Sequence, residues 1–217
     1  MGIILPITLL IASYLLGSIP TALIISKSFA KIDIRDYGSK NMGATNVNRV
    51  LGFKYGLIVF TIDAIKAGLI ISLFTFQLLE WEANWMVLKI HPLIYGVVAV
   101  IGHMFPIFAE FKGGKGVACC TGILLAYSPL IFIIVITVFI LILIWKKYIS
   151  LSSMTAAVTA LILSFFIHEG DSIDWFFTSI IAILCAFIII RHIPNIKRLI
   201  NHTETKFTFK KNNIKKQ

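Results

Sequence analysis

The stretch GSKNMGATNVNRVLG, residues 38–52, sets two hydroxyls (Ser39, Thr45), three amides (Asn41, Asn46, Asn48), Arg49 and three glycines within 15 residues. Glycines allow tight turns that aim successive backbone N–H groups at an anion, and hydroxyls and amides add further donors. Arg49 can grip a phosphate through two parallel hydrogen bonds. A glycine-rich surface loop, the bland alternative, does not need this density of donors. The chemistry it suits is phosphate binding.

Three more polar patches interrupt otherwise apolar sequence. GHMFPIFAEFKGGKGVA, residues 102–118, carries Lys112, Gly113, Gly114, Lys115 and Gly116 into an apolar run. Its amides would then sit at a helix N-terminus, where the dipole favours an anion. This is not a P-loop, because Gly116 follows Lys115 and the upstream glycine spacing is absent. His103, close to Pro106, reads as marking a kink more than as a catalytic histidine. RHIPNIKRLINHTETK, residues 191–206, offers His192 and Asn195 to one pocket if Pro194 starts a new helical turn; a solvated basic juxtamembrane segment is the equal alternative. In SYLLGSIPTALIISK, residues 13–27, Pro20 should break a helix and free backbone groups that something must satisfy. Close packing of small residues is the favoured reading of that patch.

Acids and bases are scarce by comparison. Asp63 and Lys66, three residues apart inside an apolar run, read as a neutralising pair, since an isolated charge in a bilayer costs at least ~2.5–3.5 kcal/mol. No histidine is followed by aspartate five positions later, which removes the His/Asp acyltransferase dyad. There is no HExxH motif, no carboxylate cluster able to hold Mg²⁺ and no G-x-S-x-G elbow. Cys119, Cys120 and Cys185 lie in apolar runs with no metal or disulfide spacing.

The elements that must hold these patches are membrane helices. Hydrophobic residues make up 58% of the 217 and charged ones 14%, against roughly 25% charged in a soluble domain, an excess that a chain this small cannot hide in a core. Apolar runs at Ile3–Ser26, Tyr55–Leu79, His91–Ala109, Pro129–Trp145, Leu151–Ile167 and Trp175–Ile190 suit spans of about 20 residues. The run Val117–Ser128 suits a re-entrant segment as well as a span. Charge decides it. If this run crosses, residues 27–54, 112–115, 146–147 and 191–217 share one face and carry 18 of the 20 Lys and Arg residues. The other face then holds Glu80, Glu82, Lys89, Glu169, Asp171 and Asp174. The positive-inside bias therefore predicts an all-α integral membrane protein of seven transmembrane helices, N-terminus outside and C-terminus cytoplasmic. The net charge of +10 follows from those loops and does not call for nucleic acid. Pro6 stands against myristoylation of Gly2, and with no basic stretch before it the first run is expected to be a retained helix. A single polytopic domain over 1–206 and a flexible basic tail over 207–217 complete the expected layout.

Taken in order, the patches resemble the bacterial acyl-phosphate:glycerol-3-phosphate acyltransferase family (PlsY). The likeness runs through SYLLGSIP, GSxNxGATNVxR, DxxKxG at Asp63–Gly68, GHxFPxFxxFKGGKGVA, YxSLSS at Tyr148–Ser153, and RHxxNIxRL with Glu204 following. The resemblance implies a monomer in the bacterial cytoplasmic (inner) membrane with its site facing the cytoplasm, working without metal or other cofactor. It implies transfer of a fatty acyl group from acyl phosphate to glycerol 3-phosphate, giving 1-acylglycerol 3-phosphate (lysophosphatidic acid) and phosphate, the first acylation of phospholipid synthesis. By the same resemblance Ser39, Arg49, Lys115, His192 and Asn195 form the catalytic set. Asn41, Thr45, Asn46, Lys112, Gly113, Gly114 and Gly116 line the phosphate sites. The chain departs from the family pattern with Lys40 and His202 where glycine is usual, Cys119-Cys120 where small hydroxyl residues are common, and Pro194 within the last motif.

Overall fold

The computed structural model describes residues 2–80, 87–168 and 172–208. Among them there are ten α-helices and no strand. Glu82, Glu169 and Asp171 of the acidic set, and the basic tail from residue 209 on, lie outside the described residues. The chain divides into two compact units, one ending at Tyr127 and one spanning Ser128–Thr208.

The first unit holds α1 (Ile4–Ser18), α2 (Thr21–Ala30), α3 (Ala44–Leu51), α4 (Phe53–Thr75), α5 (Pro92–Met104) and α6 (Val117–Tyr127). The first apolar run does break where Pro20 predicts, between α1 and α2, because proline has no N–H to continue the ladder. Small residues then let backbones touch. A Cβ on Gly17 would overlap the Ala99 carbonyl, and one on Gly102 the Tyr14 carbonyl, so α1 and α5 pack at backbone distance. Gly122 of α6 lies as closely against Ala64 of α4. The small-residue reading of SYLLGSIP is correct for Gly17.

The Ile19 carbonyl at the break accepts the Thr21 N–H at 2.9 Å and a second donor from α4. Lys66 Nζ on α4 donates to the Ile19 carbonyl at 3.0 Å and pairs with Asp63 Oδ1 at 2.6 Å. Thr21 Oγ1 donates to the same carboxylate oxygen at 2.9 Å. The expected neutralising pair is therefore present, buried, and tied to the broken helix. Beneath the segment that joins α2 to α3, Ile34, Val47, Val50 and Val59 form a buried apolar floor with Ala22 and Leu23.

The second unit holds α7 (Pro129–Lys146), α8 (Ile149–Ser164), α9 (Trp175–Arg191) and α10 (Ile193–Ile200). One face of α8 is lined by Ser150, Ser153, Ala156, Ala157 and Ala160, all buried. Asp174 caps α9 by accepting the Phe177 N–H at 2.8 Å. The chain bends by 54° between α9 and α10. Pro194 sits in the first turn of α10, where its missing N–H would have been unpaired in any case, so it fits the break instead of disrupting it.

Each expected apolar run folds as helix. By length and hydropathy alone Ile4–Ala30, Phe53–Thr75, Pro92–Ala109 and Pro129–Lys146 can cross a membrane, and α9 with α10 makes a fifth if that bent pair is one span. The α6 and α8 helices, 11 and 16 residues long, are shorter. At 1.5 Å per residue an 11-residue helix covers only about 17 Å of the ~30 Å hydrocarbon layer.

Candidate functional site

Gly38, Ser39 and Lys40 form a turn held by one side chain. Asn46, on α3 and buried, accepts the Ser39 N–H on Oδ1 at 2.8 Å. Its Nδ2 donates to the Tyr37 carbonyl at 3.0 Å and the Ile34 carbonyl at 3.3 Å. Both amide hydrogens are thus committed to backbone. Asn46, read from the sequence among the phosphate-lining residues, is here the residue that shapes the loop. Gly38 has φ +60° and its α-carbon faces the Asn46 oxygen so closely that a Cβ would overlap it. Ser39 and Thr45 stand exposed at the surface, with Asn41 and Arg49 half-buried beside them.

The second donor loop lies between α5 and α6. Gly113, Gly114 and Gly116 are buried, and Gly116 has φ +85°, a conformation L side chains rarely adopt. The Gly114 N–H donates to the His103 carbonyl at 3.1 Å. Lys115 is half-buried just ahead of α6. Lys112 is exposed and pairs with Glu110 at 3.2 Å, and Arg35 approaches the same carboxylate at 3.7 Å. The hydrogen bond from Lys112 holds the Glu110 carboxyl below its ordinary pKa. Lys112, expected on phosphate, is thus engaged by a neighbouring acid.

In the second unit His192 and Asn195 are both buried at the α9–α10 junction. His192 Nδ1 lies 2.8 Å from the Ile188 carbonyl. A carbonyl only accepts, so Nδ1 carries the proton and the chemistry at Nε2 is set apart from it. Asn195 Nδ2 donates to Glu204 Oε1 at 2.9 Å. The same carboxylate accepts from Ser150 Oγ at 3.1 Å and from Arg198 Nε at 2.7 Å. Burial works to raise the Glu204 pKa, but the hydrogen bonds from Arg198, Asn195 and Ser150 outweigh it and hold the group below its ordinary value. Sequence reasoning gave Glu204 no role. Its signal was its isolation, as the only carboxylate in the basic stretch 191–206.

Two departures from the family pattern fall where the backbone favours glycine. Lys40 has φ +58° and His202 φ +54°, the left-handed region that glycine enters without strain. Among the described residues no group of three or more His, Cys, Asp or Glu side chains is placed to hold a metal ion.

A family profile described as Glycerol-3-phosphate acyltransferase matches residues 7–202. The chain belongs to the glycerol-3-phosphate acyltransferase family. It is 46% identical to the Glycerol-3-phosphate acyltransferase of Bacillus subtilis (strain 168) over 198 residues, covering 91% of this chain and 95% of that one. It is 43% identical to that of Geobacillus kaustophilus (strain HTA426) over 198 residues, with coverage of 91% and 94%. Among solved structures it resembles PlsY (YgiH), an integral membrane glycerol 3-phosphate acyltransferase, in its glycerol 3-phosphate form. That likeness has a TM-score of 0.79 and 37% identity and covers 93% of this chain and 95% of that one. The lysophosphatidic acid form of PlsY gives a TM-score of 0.76 and 36% identity, with coverage of 94% and 95%. The family and the apolar helices together make this an integral membrane protein.

Proposed function

We propose that the protein transfers a fatty acyl group from acyl phosphate to glycerol 3-phosphate, releasing phosphate and 1-acylglycerol 3-phosphate, the lysophosphatidic acid that begins phospholipid synthesis. The observation that carries this reading is the likeness, over 93% of the chain, to a protein whose structure is known in a glycerol 3-phosphate form. The likeness to its lysophosphatidic acid form supports the product assignment.

In this reading the chain crosses the bacterial inner membrane seven times, N-terminus outside, and works as a monomer with its site on the cytoplasmic face. With that crossing pattern 18 of the 20 basic residues fall on one face, which supports the orientation. The short α6 then completes its crossing with the glycine-rich segment before it.

An acyl phosphate brings its own leaving group, so no acyl-enzyme intermediate is needed. The glycerol hydroxyl attacks the acyl carbonyl, a new C–O bond forms, and the C–O bond to phosphate breaks. Two anionic phosphates must be held against their repulsion, which is the work assigned to Ser39, Arg49, Lys115, His192 and Asn195. Thr45, Asn41, Lys112, Gly113, Gly114 and Gly116 line the sites, Gly114 with its N–H kept by the His103 carbonyl, while Asn46 acts through Ser39. Charge building on the departing phosphate is stabilised by Arg49, Lys115 and backbone N–H groups. The departing phosphate takes the hydroxyl proton. A second reading, His192 as base, is favoured by one observation: with Nδ1–H on the Ile188 carbonyl, a neutral ring has its lone pair on Nε2.

The test is purified full-length protein with palmitoyl phosphate and glycerol 3-phosphate, followed by phosphate release and by chromatography of the acylated product. Turnover with palmitoyl phosphate and none with palmitoyl-CoA is expected. Turnover with the thioester alone, or flux of glycerol 3-phosphate into proteoliposomes without product, would overturn the assignment.

A further inference from the structure

His103 is the one histidine enclosed among charged groups within the first unit, and the proposed chemistry makes no use of it. It occupies the last turn of α5, 7% exposed. Its Nδ1 faces Asp63 Oδ1 at 3.6 Å. That oxygen also receives Thr21 and Lys66, and Lys66 in turn holds the Ile19 carbonyl at the break in the first span.

The other side of His103 meets the glycine loop. Its carbonyl accepts the Gly114 N–H at 3.1 Å. A Cβ on Gly113 would overlap that carbonyl, and a Cβ on Gly114 would overlap the ring at Nε2. Both glycines therefore lie flat against one residue, Gly113 on its backbone and Gly114 on its imidazole. The φ of Gly114 is not in the left-handed region, so close approach to His103, and not backbone conformation, is what requires glycine there.

We propose that His103 is a positioning residue for acyl transfer: braced by Asp63, it sets the distance at which the Gly113–Lys115 loop presents its donors to the phosphate of glycerol 3-phosphate. The buried quartet of Thr21, Asp63, Lys66 and His103 is then a rigid bracket running from the helix break to the donor loop. A bracket made only for stability would leave the loop's affinity unchanged in folded protein. A bracket made for position would not, because hydrogen bonds to an anion weaken steeply with distance and angle.

This inference rests on the acyl-phosphate reading above. The test is a double-variant cycle on full-length protein, measuring kcat and both KM values on the monodisperse folded fraction. Gly114→Ala and His103→Asn should each raise the KM for glycerol 3-phosphate and leave the KM for palmitoyl phosphate within about twofold, a surface-scale effect. Asparagine ends short of where Nε2 lies, leaving room for the new methyl group. The double variant should show a KM at least ~5-fold below the product of the two single effects, the scale of coupling between touching residues. Effects that multiply, or losses confined to the yield of folded protein, would overturn the proposal. Should His103→Asn fail to fold, Thr21→Val decides: it removes one donor from Asp63 and should raise the same KM several-fold at unchanged kcat, and an unmoved KM would overturn the proposal. Wild-type protein inactive with palmitoyl phosphate would instead sink the underlying reaction.

Discussion

The side-chain oxygen of Asn46 holds the backbone N–H of Ser39 at 2.8 Å, so a residue inside a helix fixes a turn seven positions earlier. The same amide group closes two further backbone carbonyls, those of Ile34 and Tyr37. One buried amide thus determines where an exposed hydroxyl stands.

Asn46→Ala should leave these three backbone groups unanswered, at about 1–3 kcal/mol for each that stays buried. A lower midpoint of thermal unfolding and at least ~10-fold lower kcat/KM are expected, equivalent to about 1.4 kcal/mol. Asn46→Asp should be no better, since a carboxylate oxygen would face two carbonyls. Unfolding curves and kinetics on the two variants check this; wild-type kinetics in either would free Ser39 from Asn46.

Arg49→Lys should lose about 30- to 1000-fold in kcat/KM, because an ammonium cannot reproduce a bidentate fork worth ~2–4 kcal/mol. A loss below tenfold would show that Arg49 acts only as a point charge.

For His192 the test is chemical rescue. If the leaving phosphate is the base, His192→Asn retains measurable turnover, and imidazole does nothing for His192→Gly. Rate restored by imidazole, with a pH dependence tracking the added base, would make Nε2 the proton acceptor and leave the reaction itself intact.

Glu204 predicts a pH dependence of stability. Its folded pKa lies below its unfolded value, so the folded state binds fewer protons there than the unfolded chain. Its contribution is therefore complete above the unfolded value of about 4.3 and disappears as pH falls through the folded one. The gap in unfolding temperature between wild type and Glu204→Gln should be constant from pH 6 to 8 and close on acidification below about 4.3. A gap that widened in acid would reverse the sign assigned here.

His202→Gly should stabilise the protein, by up to about 1 kcal/mol, since the left-handed cost of ~1–2 kcal/mol is partly offset by glycine's greater chain entropy. His202 follows α10, where such a residue commonly ends a helix. Lys40→Gly should act in the same direction. Thermal unfolding reads both; a lower midpoint would mean that the present side chains hold contacts worth more than the strain.

The parts of this architecture that depend on composition and on single strong residues were legible in the sequence. Pro20 announces the break in the first span, Asp63 and Lys66 announce their pairing, and Pro194 announces the start of α10. Each follows from local covalent geometry or from the cost of a lone charge in lipid. What stayed hidden depends on tertiary distance. Asn46 looks like any donor until its three backbone partners are in place. His103 looks like the mark of a kink until Asp63, forty positions away, and Gly114 lie on either side of it. Lys112 shows only as a donor in the sequence, and its exposed pairing with Glu110 appears only in the folded loop.

The bond from Lys66 to the Ile19 carbonyl has a consequence for biosynthesis. The end of α1 leaves the ribosome first, and the lysine that adds a second donor to its Ile19 carbonyl follows 47 residues later. Each helix meets the bilayer with these groups already answered locally, the Ile19 carbonyl by the Thr21 N–H at 2.9 Å and Lys66 by Asp63 three residues away. The bond between them therefore joins two helices that can each enter the bilayer alone, and it fixes their relative depth once both are in. A substitution at Lys66 would strip Asp63 of the cation on its own helix, and would show itself at the translocon, in the insertion of α4, before it ever reached an assay of catalysis.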